Sequence, residues 1–159
     1  MMNDNLQADF IACNDPFLFT VELPALYRSS SSFESTVASL LDLSHDAPPG
    51  VRTRLLLGIA YAKRVHSEDE PSALLEHTAA LIRTAGSDSE LVLIGHTVEA
   101  VLTLMRLGDY SRGMVILETV HAELRYGSTL GALYGIVRRW MGLGHMLLSQ
   151  HKEAETTKA

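Results

Sequence analysis

The sequence predicts an all-α protein built as a stack of antiparallel helix hairpins, and three observations predict it. Residues 90–124 carry two apolar stripes at three- and four-residue steps, one on each side of Leu107-Gly108-Asp109-Tyr110. The stretches before and after repeat the same order of helix, short break, helix. Leucine and alanine are plentiful while aromatic residues make up only 6% of the 159 residues, which favours helix over sheet.

The central stretch is the clearest. Its first arm places Leu91, Ile94, Val98, Val101, Leu102 and Met105 on one stripe, and its second arm Met114, Leu117, Val120 and Leu124. Gly108 tolerates a positive φ and ends the first helix, and Asp109 caps the second. Neither arm buries its stripe alone, so each must pack on the other and on neighbours.

Taken in order, residues 1–15 are polar and aperiodic and read as a loose tail, residues 16–155 as one helical domain, and 156–159 as a polar tail. Asp15 caps a short helix with Pro16 at its first position, and Pro24 interrupts it. The serines of 29–32 read as a linker, with Ser32 the N-cap of a helix over 33–43 striped by Phe33, Val37, Leu40 and Leu41. Pro48-Pro49-Gly50 closes it. Helices follow over 51–65 and over 72–84, the latter ended by Gly86, and Ser87-Asp88-Ser89 starts the next. Tyr126-Gly127-Ser128 is a further break. Residues 131–148 form the last long helix, whose glycines suggest close packing, and a separate helix begins near Lys152.

Composition excludes several classes. A formal net charge of −6, with basic residues paired only at Arg52/Arg54, Lys63/Arg64 and Arg138/Arg139, argues against direct nucleic-acid binding. Arg138 and Arg139 break the most apolar stretch, which argues against a membrane span. Cys13 is the only cysteine, so no intramolecular disulfide forms, and MMNDNLQADF has no basic leader pattern; both fit a cytoplasmic protein. Seven histidines are present, but none form an HExxH pair, and His77, His96 and His121 fall on different helices. No Walker loop or dinucleotide fingerprint occurs, since Gly142-Leu143-Gly144 lies inside a helical pattern. The expectation is a protein that is not an enzyme and takes no metal or cofactor.

With Gly58, Val101 and Gly142 in register, Leu57, Ala100 and Met141 align just before them, and Tyr61, Leu104 and His145 just after. Ala73, Gly113 and Ala154 align in the second helices. Leu57-Gly58-x-Ala60-Tyr61 and Gly108-Asp109-Tyr110 resemble the tetratricopeptide repeat (TPR), in a long-repeat form, because unit starts near Val51, Ile94 and Gly135 exceed the usual period of about thirty-four residues. Phe33, Leu40, Leu43 and Pro48 resemble the second half of a degenerate N-terminal unit whose first helix departs from the pattern at Pro24. The resemblance covers about two-thirds of the chain and implies a solenoid of about three units plus that degenerate one.

It also implies a concave groove lined by the first helix of each unit: Leu55, Leu56, Ile59 and Lys63; then Val98, Glu99, Leu102, Met105 and Arg106; then Arg139, Trp140, Leu143 and Met146. Such a groove is apolar with a cationic edge and suits an apolar or amphipathic segment of a partner protein, with Arg139 and Trp140 as anchors. An alternative arrangement folds Phe17-Leu18-Phe19 over the groove, and then Leu55, Leu102 and Leu143 are core. The implied function is a cytoplasmic protein-binding adaptor or chaperone, similar to the small TPR chaperones of bacterial type III secretion. The alternative is a regulatory or sensor module of bacterial transcription control, similar to the repeats of maltose-activator type regulators. The uncapped third unit predicts a homodimer through the C-terminal end.

Overall fold

The computed structural model describes residues 9–10, 13, 15–21, 30–65, 67–125 and 131–158. Every regular element among them is helical. In chain order they are α1 (Pro16–Val21), α2 (Ser30–Ser44), α3 (Pro49–Ala62), α4 (Pro71–Ala85), α5 (Ser89–Leu102), α6 (Tyr110–Arg125) and α7 (Gly131–Lys158). A π-helical turn, Thr103–Leu107, continues α5.

Local chemistry sets most of the boundaries. The Asp15 carboxylate accepts from the Phe17 amide at 2.9 Å, ahead of Pro16 at the start of α1. Asp88 accepts from the Leu91 amide at 3.2 Å, and Asp109 from the Arg112 amide at 3.2 Å, so both act as N-caps. Gly108 takes the left-handed conformation, φ 69°, that lets the chain leave the π turn and enter α6.

Several boundaries differ from the sequence reading, among them the end of α3, which stops at Ala62 short of residue 65. Helix α2 starts at Ser30, so serines 30–32 are helical instead of a linker and Ser32 is not its cap. Helix α3 starts at Pro49, because proline's fixed φ suits a first helical turn as well as it ends the previous helix. The expected break before Lys152 is absent: α7 runs unbroken through Lys158. Its sequence SQHKEAE holds no glycine or proline and several strong helix formers, so nothing stops the helix. Ala154 is therefore an exposed residue of α7, not a packing position in a separate second helix. The expected break at residues 126–128 and the Pro24 interruption lie outside the described residues.

Each helix from α3 to α7 packs on the next, and α5 also packs on α3 and α7. Helix α1 lies along α3, and α2 touches α3. The main core joins Phe17, Leu57, Tyr61, Leu74, Val98, Leu102, Leu117, Val137 and Trp140 with their neighbours. A smaller cluster, Phe33, Val37, Leu40, Leu55, Ile59 and Ala62, seats α2 on α3, with Phe10 and Phe19 against it. Phe10, assigned to the loose tail, is thus packed, edge-on to Phe19 at 6.0 Å. Arg54, one of the Arg52/Arg54 pair, ties three elements by pairing with Asp15 at 3.4 Å and with Glu90, so it is a structural cation.

Close approach, not flexibility, explains several glycines. A Cβ on Gly58 would lie 1.7 Å from the Thr20 hydroxyl oxygen and one on Gly95 2.4 Å from Ile82, so α1–α3 and α4–α5 meet where a side chain is missing. In α7 only Gly144 serves this way, against Met114; around Gly131, Gly135 and Gly142 a Cβ would meet nothing within 4 Å. Gly142, aligned with buried Gly58 and Val101, is exposed.

Among the described residues no helix is long and apolar enough to cross a membrane.

Candidate functional site

The residues expected to line one groove are distributed over the core and three separate hollows. Leu55, Ile59, Val98 and Leu102 are at most 4% exposed and Trp140 8%, so their side chains serve the core. Phe17 of α1 packs into the main core, and Phe19 against the cluster that holds Leu55 and Ile59, which is the covered arrangement for the first-unit positions. Leu56, Ile59 and Lys63 line a hollow of about 250 Å³ between α2, α3 and α4. Glu99 lines a cleft of about 520 Å³ between α5 and α6. Met105, Arg139, Trp140 and Leu143 line a recess of about 340 Å³ between the end of α3, the π turn and α7. Met146 lies beyond it on α7, half exposed.

Two of the three cations expected in the groove, Lys63 and Arg106, hold the α3–α4 connection instead. The Lys63 ammonium donates to the Asp69 carboxylate at 2.9 Å. The Arg106 guanidinium donates to the Ser67 and Asp69 carbonyls at 3.2 and 3.1 Å. These contacts fasten the polar break after α3 to the π turn. The hydrogen bond and charge of Lys63 hold the Asp69 carboxyl below its ordinary range. On α4, burial first and then Lys63 push the His77 imidazole below its ordinary value, with Asp69 opposing; the residue is exposed overall, so the effect is modest.

The sign is the same for both groups. Asp69, depressed in the fold, adds stability that is lost as pH falls through its folded value. His77, also depressed, favours the neutral ring in the fold, so stability falls as pH drops below about 6.5. Replacing Lys63 with Met should raise the titration midpoints of both Asp69 and His77, read by NMR on each side chain. Unchanged midpoints would dismiss the Lys63 coupling.

The recess at the end of α3 is the best organised of the three. Its floor is a buried aromatic row. Phe17 meets Tyr61 edge-on at 5.7 Å, and Tyr61 meets Trp140 edge-on at 6.3 Å. The Trp140 indole N–H donates to the Tyr61 hydroxyl at 2.7 Å, locking α3 to α7. The Arg64 guanidinium lies over the Tyr61 ring at 4.1 Å and near Trp140 at 5.8 Å, a cation–π arrangement that keeps its charge at the mouth. Arg139 is exposed beside it, and Val65 and Met105 stand 49% and 44% exposed at the edge.

Sequence reasoning missed Tyr61, Arg64 and Val65 as members of this recess. Tyr61 was visible as part of the repeat signature and Arg64 as half of a basic pair. Their joint position depends on Trp140, 79 residues away, and on the π turn that carries Met105 outward.

Among the described residues no group of three or more His, Cys, Asp or Glu side chains is placed to hold a metal ion. Burial and the neighbouring Asp15 push the Cys13 thiol up, away from the reactive thiolate. No family model matches the chain, and neither a curated protein nor a solved structure matches it significantly.

Proposed function

We propose that this protein is a non-enzymatic adaptor or chaperone that receives an apolar or amphipathic segment of a partner protein in the recess between α3, the π turn and α7. The observation that carries the reading is the combination found there: a rigid aromatic floor, exposed Val65 and Met105, and the guanidinium groups of Arg64 and Arg139 at the mouth. Pre-formed apolar hollows with a few fixed polar groups are the usual form of a recognition site. Aromatic and arginine side chains dominate binding energy at such surfaces.

The proposal extends to the architecture. Packing of α3 on α5 and α5 on α7, with α4 and α6 between them in sequence, supports a TPR-like stack of hairpins. The stack differs from the repeat pattern at its end, where α7 has no second helix beside it among the described residues. A cytoplasmic location and a homodimer through the C-terminal end of α7 belong to the same reading. A single-chain mass by light scattering at high concentration would remove the dimer.

The test replaces exposed residues and spares the core. Affinity capture from the native host should retain one defined partner with the wild-type chain and lose it with Met105→Glu combined with Arg139→Glu. Circular dichroism should show the same helicity and melting for both, because the two side chains are exposed. An unchanged partner set with the fold intact would reject the recess as the binding face.

A second reading, a regulatory or sensor module, rests on a different observation. The α5–α6 cleft is separate from the recess, and its 520 Å³ lies in the size range of small-molecule sites.

A further inference from the structure

The α5–α6 cleft has a distinct chemistry. Val92 and Leu93 of α5 and Val115, Ile116 and Val120 of α6 form its apolar walls. Val115 is 62% exposed, the highest value among the large apolar side chains described as exposed. The polar members carry acid and hydroxyl groups: Glu99 and Glu123 from facing helices, Thr119, and Ser87 and Ser89 at the start of α5. Among the described residues neither lysine nor arginine lines it. His96 lies beside Glu99, with its Nδ1 3.1 Å from the carboxylate.

Backbone electrostatics add to this charge. The N-terminus of α5, whose positive end would repel a cation, is already capped by Asp88. The cleft's α6 wall runs from Val115 to Glu123, close to that helix's C-terminal, negative end at Arg125. The Thr119 hydroxyl donates to the Val115 carbonyl at 2.9 Å, which engages its hydrogen and leaves its oxygen an acceptor.

We infer that the α5–α6 cleft binds an organic cation with an apolar body, an aromatic or branched aliphatic amine, whose ammonium pairs with Glu99 or Glu123. The apolar body sits against Val92, Leu93, Val115 and Ile116. Carboxylates on opposite helices select positive charge, and the walls select the body by burial. The inference deepens the sensor reading by naming its ligand class and does not depend on the adaptor reading, whose recess is elsewhere.

Two fluorescent probes with the same naphthalene core test it on the full chain. Dansylcadaverine carries an ammonium, and 1-anilinonaphthalene-8-sulfonate carries a sulfonate. The cationic probe should bind saturably, one per chain, and more tightly than the anionic one. Glu99→Gln with Glu123→Gln should weaken the cationic probe by about fivefold, the upper scale of a partly exposed ion pair, and leave the anionic probe unweakened. Val115→Trp fills the cleft from an exposed position and should remove binding while the melting temperature holds. Preference for the anionic probe, or indifference to the glutamine pair, would overturn the ligand class while leaving a small-molecule cleft and the sensor reading in place. Binding that survives Val115→Trp, or no binding by either probe, would overturn both. So would a two-chain mass that drops to one chain in Val115→Trp, because the cleft would then belong to a second copy.

Discussion

Trp140→Ala is expected to destabilise the protein by about 3–5 kcal/mol, the cost of removing a large aromatic from a packed core. The ring is 8% exposed, stands edge-on to Tyr61, and donates its N–H to the Tyr61 hydroxyl at 2.7 Å. Removing it opens a void between α3 and α7, leaves the Tyr61 hydroxyl without its donor, and strips part of the platform under Arg64. In a chain of 159 residues the melting temperature should fall by roughly 10 °C or more. Tyr61→Phe separates the hydrogen bond from the packing. It keeps the ring and leaves the buried indole N–H unsatisfied, which should cost about 1–3 kcal/mol. Thermal and urea melts followed by circular dichroism read both. A Trp140→Ala melt indistinguishable from wild type would mean that Trp140 is not a core residue. The same numbers explain why Trp140, chemically suited to be a binding anchor, is a poor place to test binding: its loss would unfold the recess it was meant to probe.

The second large effect is at Gly58. A methyl there would overlap the Thr20 hydroxyl oxygen at 1.7 Å and crowd the Thr20 Cβ at 2.9 Å and the Phe17 carbonyl at 3.1 Å. Thr20 is fully buried and fixed by donating to the Phe17 carbonyl at 2.8 Å, so it cannot simply turn away. Gly58→Ala gains about 1 kcal/mol of helix propensity. Overpacking of this kind costs about 1–3 kcal/mol, more where backbone must move. The expected net result is destabilisation, with α1 displaced from α3. Thr20→Ala in the same chain should restore part of the loss, because it removes the hydroxyl oxygen that makes the closest of the three clashes, and a double-mutant cycle measures that coupling. Amide exchange gives the local readout: residues of α1 should lose protection first. A Gly58→Ala chain more stable than wild type would show that α1 does not press on α3 at this point.

Much of the helical layout was legible in the sequence because it is set by near neighbours. The Asp15, Asp88 and Asp109 caps, the positive-φ glycines 86 and 108, and the hairpin between Ser89 and Arg125 each depend on a few adjacent residues. Where local signals were ambiguous the reading slipped. Serine caps helices but also tolerates being inside them, so α2 begins three residues earlier than expected. The polar run before Lys152 predicts a break, yet it holds no glycine or proline and α7 continues through it.

The candidate site was legible only in part. The stripe residues Leu55, Val98 and Leu102 carry the same periodicity whether they face a groove or a core, and periodicity alone cannot say what lies opposite. Tertiary structure decided it, by placing Phe17 beside Tyr61 and by setting Arg106 on the loop 37 to 39 residues before it. The glycines make the same point: Gly58, Gly95 and Gly144 are contact points while Gly135 and Gly142 are not, although all five sit in helical patterns. The sequence by itself determined an all-helical chain with its caps and turns, because those follow from interactions within a few residues. Only the tertiary structure decided which apolar stripes were buried, which cations were used to fasten loops, and where the hollows opened, because each depends on groups that the chain brings together from far apart.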